Sequence, residues 1–340
     1  MDAHRYKELG VSSAKTALRG VDNASTAFCR MVASPSDNTY TVLHSDGTGT
    51  KALLADLDCY ADVLGLAQDA IVMNTDDMAC VGVTDGFVIS TIINRNPAVV
   101  SDGQVRNIIR AIDDVCARFR AMGVDIQSCG GETADVGEMV SSFTLDVSAV
   151  SRINAADVID NGAIRQGDVI VGLSSYGQAN YEDAENSGVG SNGLTWLRHD
   201  LPLSDAGILQ LLKSPTRTYL PIVKDVLKAL GHGVHGMVHI TGGAHTKTLR
   251  AVHGLGVVKD NLFPVPPIFA EVAELPSVCH ADLYRVFNMG HRYEVFTAPE
   301  DAATVVEVAR RHGVEARVVG RVCAGKEMIL ETPYGTFSYE

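Results

Sequence analysis

The alternation of apolar and polar residues along the chain predicts strands and helices in turn. Residues 86–93 form an apolar run rich in β-branched side chains, which predicts a buried strand. Residues 102–122 carry apolar side chains at helical spacing and end at Gly123, which predicts an amphipathic helix. Further short runs predict strands at 39–44, 124–128, 139–150 and 169–173, and helices at 52–66 and 66–80. This pattern indicates an α/β protein.

The second half of the chain continues the same alternation. It predicts helices at 193–199, 205–213, 216–230, 244–253, 268–274 and 300–312, and strands at 236–241, 293–297, 315–323 and 327–331. Residues 153–167 between the halves are polar and rich in turn residues. We therefore predict two domains, 1–160 and 161–340. The polar segment 1–30 is interpreted as an arm or lid.

The segment 44–51, His-Ser-Asp-Gly-Thr-Gly-Thr-Lys, lies between a predicted strand and a predicted helix. Its glycines allow a tight turn whose backbone N–H groups can face phosphate oxygens, and a helix start would add a favourable dipole. Lys51 supplies a positive charge and Asp46 an oxygen ligand for Mg²⁺. The segment matches neither the P-loop nor the dinucleotide fingerprint. An ordinary turn with surface charges is the alternative interpretation.

Composition narrows the classes of function. The 340 residues carry a formal charge of −13 and are 46% apolar, so a large core is available and a nucleic-acid partner is disfavoured. The seven cysteines form no C-x-x-C pair, which argues against a zinc or disulfide framework. The first ten residues lack an apolar leader and no stretch has membrane-spanning length. These features predict a cytoplasmic protein without a membrane association.

Three acidic residues stand beside glycines or predicted strand ends: Asp46, Asp77 and Glu132. A scattered carboxylate set of this kind suits Mg²⁺ that is shared with phosphate oxygens. Sequence spacing does not show that the three meet. The alternative is that Asp77, with Asp76, caps or solvates a helix.

Other motifs carry weaker information. Thr241-Gly242-Gly243 and Ser191-Asn192-Gly193 are further turns that suit phosphate, although such turns are common. Four histidines, at 232, 235, 239 and 245, lack the Glu of the H-E-x-x-H zinc helix, so we interpret them as surface or core residues. The chain has no G-x-S-x-G elbow, which argues against a serine hydrolase.

Seven motifs in order resemble one family closely. They are Asp46-Gly-Thr-Gly-Thr-Lys51, Met73-Asn-Thr-Asp-Asp77, Gly130-Gly-Glu-Thr-Ala-Asp135, Ser187-Gly-Val-Gly-Ser-Asn-Gly193, Ser214-Pro-Thr-Arg-Thr-Tyr219, His235-Gly-Met-Val-His-Ile-Thr-Gly-Gly243 and Phe287-Asn-Met-Gly290. This set resembles the phosphoribosylformylglycinamidine cyclo-ligases, or aminoimidazole ribonucleotide (AIR) synthetases, over residues 5–322.

The resemblance implies a two-domain α/β fold in which the N-terminal domain dimerises through a β-barrel-like sheet. It implies an ATP- and Mg²⁺-dependent ligase of purine biosynthesis that closes the ring of formylglycinamidine ribonucleotide to give AIR, ADP and phosphate. Transfer of a phosphoryl group makes the amide oxygen a leaving group, and the amidine nitrogen then attacks that carbon. A homodimer with a cleft between the two halves is expected.

The resemblance also implies roles for individual residues. Catalytic roles fall to Asp46, Lys51, Asp77 and Glu132, with Asp46, Asp77 and Glu132 as metal ligands. ATP and phosphate binding fall to His44, Gly47, Gly49, Thr50, Lys51, Asp69, Thr241, Gly242 and Gly243. Substrate binding falls to Ser191, Asn192, Gly193 and Arg217, where Arg217 either pairs with a substrate phosphate or braces the fold.

Some positions depart from the family pattern. The usual Pro-His-Ser-Asn-Gly reads Val-Gly-Ser-Asn-Gly, so Gly190 replaces a polar group, and His291-Arg292 follows the Phe-Asn-Met-Gly motif. These departures indicate a divergent branch. Two alternatives stay open: a different ATP-using relative, such as a thiamine-monophosphate kinase, or a non-catalytic nucleotide-binding relative.

Overall fold

A computed structural model describes residues 26–276 and 278–340. Most of the predicted arm at 1–30 therefore lies outside the described residues. The strands are β1 Met31–Ala33, β2 Thr39–Gly47, β3 Phe87–Arg95, β4 Ile126–Asp135, β5 Phe143–Asn154, β6 Val169–Ser174, β7 Tyr176–Gly177, β8 Asn186–Ser187, β9 Val234–His239, β10 Gly256–Lys259, β11 His291–Thr297, β12 Ala316–Cys323, β13 Met328–Thr332 and β14 Gly335–Tyr339.

The helices alternate with these strands, as the apolar pattern predicted. They are α1 Tyr60–Ala79, α2 Asp102–Ala121, α3 Leu194–Asp200, α4 Ala206–Lys213, α5 Leu220–Leu230, α6 Lys247–Ala251, α7 Pro267–Ala273, α8 His280–Val286 and α9 Ala302–Arg311. The amphipathic helix predicted at 102–122 is α2, and its N-terminus is closed by a capping box between Ser101 and Gln104.

Two sheets organise the described residues. The first has the order β1-β2-β5-β3-β4, and the second has the order β14-β13-β10-β12-β6-β11-β9. The first is built from residues 31–154 and the second from residues 169–339. This mixed α/β architecture with two sheets agrees with the predicted fold class.

The two faces of the first sheet differ. Alternate residues of β3, such as Phe87 and Ile89, are buried on the face that α1 and α2 cover. On the opposite face Leu43, Val88 and Ile92 are 62%, 42% and 44% exposed. Among the described residues, the outer face of this sheet is therefore partly apolar and exposed.

The prediction of two helices at 52–66 and 66–80 is wrong. A single helix, α1, covers Tyr60–Ala79, and the residues after the 44–51 segment form a short 3₁₀ helix, Gly49–Leu54. Gly65 does not interrupt α1, and a Cβ there would be in ordinary van der Waals contact with Pro215, at 3.6 Å. The segment is thus not followed by an α-helix N-terminus, and the expected dipole contribution is absent at this point.

Across the described part of the chain, no helix combines the length and apolar character that crossing a bilayer would need.

Candidate active site

Helix α1 connects the two halves through three carboxylates on one side. Asp69 accepts hydrogen bonds from the backbone N–H and the hydroxyl of Thr216, at 2.7 and 2.6 Å. Asp76 accepts from the Thr218 hydroxyl and the Tyr219 N–H, both at 2.7 Å. Asp77 contacts His239 of β9 at 2.7 Å. The interpretation of Asp76 and Asp77 as solvated or capping residues is therefore wrong, because both are buried and bonded to the second half.

Asp77 lies between two imidazoles. His239 Nδ1 is 2.7 Å from one carboxylate oxygen and His44 Nε2 is 3.3 Å from the other. Burial lowers the pKa of His239 to about 4, so this ring is neutral at pH 7. It then donates from Nδ1 to Asp77, and its Nε2 accepts from the guanidinium of Arg292 at 3.3 Å.

His44 is held on its other nitrogen by Asn74. The amide nitrogen of Asn74 donates to the carbonyls of Asp46 and Ala70, so its oxygen faces His44 Nδ1 at 3.0 Å. His44 therefore donates from both nitrogens, to Asn74 and to Asp77. The pKa of His44 is raised accordingly: burial opposes the charge, but the hydrogen bond and charge of Asp77 outweigh it.

Asp46 and Asp77 are neighbouring carboxylates that act on each other through their charges. Burial, and then the charge of Asp77, raise the pKa of Asp46, whose carboxylate accepts the N–H of Gly47 at 2.7 Å. The pKa of Asp77 is lowered despite its burial, because Lys247 and both histidines stabilise its charge. Two neighbouring carboxylates of this kind attract a hard cation.

Lys247, in the second half of the chain, is a positive charge that acts on both carboxylates. Its ammonium donates to the Thr241 hydroxyl at 2.5 Å and lies 4.4 Å from the centre of the Phe28 ring. Thr241 opens the Gly242-Gly243 turn, and nothing would lie within 4 Å of a Cβ on Gly242. The predicted phosphate-binding turn, a lysine and two carboxylates thus face one region at the junction of the halves.

Lys51 and Asp69 lie elsewhere and form a closed ion pair. The Lys51 ammonium, 2% exposed, donates to Asp69 at 2.9 Å, to the Gly190 carbonyl at 3.0 Å and to the Ser214 carbonyl at 2.6 Å. Ser191 also donates to Asp69, at 3.1 Å. All three ammonium protons are used within the protein, so in this structure Lys51 does not face a phosphate.

Some of the other predicted residues have structural contacts within the protein, and others remain partly exposed. Arg217 is braced by Glu182 and the carbonyls of residues 174, 176 and 177, which matches the structural alternative for this residue. Thr50 bonds to Thr195, and Gly193 begins α3 with a φ of +77°. Gly47 packs on Asp146, Gly49 is exposed and Asn192 is half-buried.

Glu132 is not brought to Asp46 and Asp77 within one chain. It pairs in register with Ile92, which pairs with Asp146, which pairs with Gly47. Three strand spacings of about 4.8 Å each therefore separate Glu132 from the end of β2. Its side chain shares the exposed outer face with Ile92, whereas Asp46 is on the helix-covered side.

Of the other histidines between 232 and 245, His232 and His235 lie at or near the surface and His245 lies in the core. His235 contacts Asp168 at 2.9 Å and His232 is exposed. His245 is buried with His291 and Glu294, and their ligand atoms lie within 4.8 Å of one another. The Lys259 ammonium already donates to Glu294 in this cluster, and burial lowers the pKa of His245 well below its usual value.

Sequence reasoning missed Lys247, His239, Asn74 and Arg292 as site residues. Lys247 stands four residues after Gly243 at the start of a helix, and this position is the one feature that could have indicated it. Arg292 had been noted only as a departure from a motif. Nothing in the spacing of His239 identifies its partner Asp77, and nothing in the spacing of Asn74 identifies its partner His44.

Two family models match the chain. The N-terminal domain of AIR synthase related proteins matches residues 24–153, and the C-terminal domain matches residues 165–332. Among curated relatives, phosphoribosylformylglycinamidine cyclo-ligase of Methanocaldococcus jannaschii is 29% identical and aligns with 85% of this chain and 80% of its own length. The Bacillus pumilus cyclo-ligase is 29% identical over 95% of this chain and 89% of its own.

Solved structures share the fold at low sequence identity. Phosphoribosylformylglycinamidine synthase II from Thermotoga maritima matches with a TM-score of 0.61 and 16% identity over 96% of this chain, which spans about half of the synthase chain (48%). A chain of the HypE–HypF complex matches with a TM-score of 0.64 and 13% identity, over 97% and 98% of the two chains. With both domain models matched in order, this chain belongs to the AIR synthase related family.

Proposed function

We propose that the chain is a ligase that closes formylglycinamidine ribonucleotide to AIR with consumption of ATP, in purine biosynthesis. One observation carries the proposal. The carboxylates of Asp46 and Asp77 meet Lys247 and the Thr241-Gly242-Gly243 turn at the junction of the halves. The curated relatives named above are cyclo-ligases, and this chain aligns with most of the length of each.

Mg²⁺ fits the donor set at this junction. Asp46 and Asp77 supply hard oxygen ligands whose mutual repulsion a divalent cation would relieve. When bound, the ion would neutralise charge on the phosphates of ATP. Asp46 and Asp77 would hold it, His44 and His239 would orient Asp77, and Lys247 would donate to a phosphate oxygen. His44, Gly47, Gly49 and Thr50 remain candidates for nucleotide contacts, and Ser191, Asn192 and Gly193 for substrate contacts.

We further propose a cytoplasmic homodimer built on the outer face of the first sheet. Leu43, Val88 and Ile92 expose apolar surface there, which a second copy would cover. Glu132 lies on the same face, so in a dimer it would lie at the interface between the two copies and would act there. In this proposal residues 1–160 form the nucleotide-binding and dimerising half and residues 161–340 the other half. Sedimentation of the purified protein at twice the chain mass is the expected result.

A stoichiometric assay tests the reaction. Purified protein is mixed with Mg²⁺-ATP and formylglycinamidine ribonucleotide, and AIR and ADP are measured together. Equal amounts of both are expected. ADP without AIR would instead indicate a kinase, and nucleotide binding without either product would indicate a non-catalytic relative.

A further inference from the structure

Arg292 is a buried cation without a carboxylate partner. It is 2% exposed, and among the described residues no carboxylate oxygen lies within 4.0 Å of its guanidinium. Its Nη2 donates to His239 Nε2 at 3.3 Å and contacts the Met73 sulfur at 3.7 Å. Its Nη1 is buried and has no hydrogen-bond partner in the described part of the chain. A thioether is a weak acceptor, and both contacts engage only Nη2 of a group that has five N–H donors.

Gly190 provides the space that this guanidinium occupies. A Cβ at position 190 would lie 2.8 Å from both Cζ and Nη1 of Arg292. Gly190 also has a φ of +69°, which favours glycine, and its carbonyl accepts from Lys51. Gly190 and Arg292, the two departures from the family pattern, are therefore in contact with each other. The arginine fits because residue 190 has no side chain.

An incompletely paired guanidinium at this depth costs stability. A buried charge is tolerated when charges or hydrogen bonds compensate it. Here Asp69, Asp76 and Asp77 act on Arg292 only through space. A buried guanidinium with an unpartnered donor is the kind of group that can complete its hydrogen bonds with a ligand.

Arg292 lies beside the candidate active site. One side of its guanidinium lies against the 188–193 loop at Gly190, and the other contacts His239, which holds Asp77. The two cations first expected to meet phosphate are not available, because Lys51 and Arg217 donate to protein oxygens. A phosphoryl group at this junction therefore needs other donors.

We propose that Arg292 is a ligand-binding residue whose free Nη1 donates to a phosphoryl oxygen at the Gly190 loop, while Nη2 remains on His239. This assignment deepens the proposed function and rests on it for the identity of the ligand. The phosphoryl group belongs either to ATP or to the sugar phosphate of the substrate. Lys247 and Arg292 would then both contact the bound anion.

The test measures binding, so it does not depend on turnover. Intact wild-type protein and the Arg292→Met variant are titrated calorimetrically with a non-hydrolysable ATP analogue plus Mg²⁺, with ribose 5-phosphate and with inorganic phosphate. We expect Arg292→Met to weaken at least one of these by about tenfold or more, as loss of one charge-assisted hydrogen bond implies. A loss confined to the analogue assigns the nucleotide phosphate, and one confined to ribose 5-phosphate assigns the substrate phosphate.

Stability and metal binding separate this role from a structural one. Arg292→Met should unfold at the same or a higher temperature than wild type, because it removes an incompletely paired buried charge. Its affinity for Mn²⁺ should be unchanged. Unchanged affinity for all three phosphate probes in the folded variant, or no binding of any probe to wild type, would overturn the assignment. So would a loss of Mn²⁺ affinity alone, which would mean that Arg292 acts through His239.

Two further variants sharpen the result. Arg292→Lys keeps the charge without the planar fork and should bind phosphate at an intermediate level. Gly190→Ala should reproduce the binding loss of Arg292→Met, and the double variant should bind no more weakly than either single one. Arg310→Met, on the exposed face of α9, is the matched control and should bind like wild type. Phosphate binding without AIR formation would refute the proposed reaction and leave the Arg292 assignment intact.

Discussion

Asp46 and Lys51 stand at the two ends of one short segment, yet the fold surrounds them differently. Lys51 has three partners and meets Asp69 in an ion pair shielded from water. Asp46 lies beside a second carboxylate, and burial and that charge raise its pKa. A closed pair of opposite charges holds structure together, whereas two neighbouring carboxylates at the junction favour a cation. The comparison thus distinguishes a structural ion pair from the carboxylates to which we assign metal binding in the proposed function.

The largest expected effect comes from breaking the closed pair. Lys51→Met should reduce the free energy of unfolding by about 3–5 kcal/mol, because the Asp69 carboxylate would stay buried without its cation. Chemical denaturation measures this loss. Lys213→Met, which removes the nearby but more exposed partner of Asp62, is the matched control and should cost about 1 kcal/mol or less. A loss of similar size in both variants would contradict the distinction.

Asp77→Asn tests the two neighbouring carboxylates and should mainly affect catalysis. We expect AIR formation to fall by about 100-fold or more, because a neutral amide binds Mg²⁺ poorly and no longer stabilises His44 in its charged form. The unfolding temperature should change far less than in Lys51→Met. Steady-state rates and thermal unfolding are measured on the same preparation, with Asp183→Asn, an exposed partner of Arg118, as control. An unchanged rate would remove Asp77 from the mechanism.

Lys247→Met should also reduce catalysis, but by less than Asp77→Asn. Loss of one ammonium donor is expected to raise the KM for Mg²⁺-ATP by about tenfold, with a lesser change in kcat. Initial rates at varied ATP give both constants. Lys228→Met, on the exposed side of α5, should leave both unchanged. If the KM stays at the wild-type value, Lys247 merely supports Thr241.

The smallest effect concerns His245, in the buried cluster with His291 and Glu294. Burial holds the pKa of this ring below its unfolded value, so the unfolded chain binds more protons below about pH 6.5. Its contribution to stability is therefore present above pH 6.5 and lost as the pH falls, by at most about 1.4 kcal/mol at pH 5.5. In His245→Gln, the decline in unfolding free energy between pH 7 and 5.5 should be smaller than in wild type. His232→Gln, at an exposed site, should show the wild-type slope, and equal slopes in all three proteins would contradict the assignment.

The sequence predicted the elements whose pattern is regular. The apolar run at 86–93 and the amphipathic helix at 102–122 were recovered because local periodicity specifies them. The helix predicted at 52–66 was wrong because the backbone turns extended at Ala55, after the 3₁₀ helix that ends at Leu54, and α1 begins only at Tyr60. The β10 strand was missed because four residues carry too little pattern.

The site was harder to predict for a physical reason. A charged residue next to glycines looks the same whether its partner is a ligand or a distant part of the chain. Lys51 is bound by residues up to 163 positions away, and His239 reaches Asp77 across 162 positions. The sequence shows which residues are acidic. Long-range contacts decide which of these carboxylates are paired within the protein and which are available to a ligand. The position of Glu132 on the outer face of the first sheet likewise depends on strand pairing.

The ammonium of Lys51 has a further consequence for the order in which the protein assembles. It joins α1, the 188–193 loop and Ser214, which lie 18, 139 and 163 positions away in sequence. Two of these three bonds form only after the halves dock, so an isolated N-terminal half would present an incompletely bonded charge at its docking face. We therefore expect the halves to melt in a single calorimetric transition. Docking would then be a late step in refolding, because it closes the longest loops in the chain.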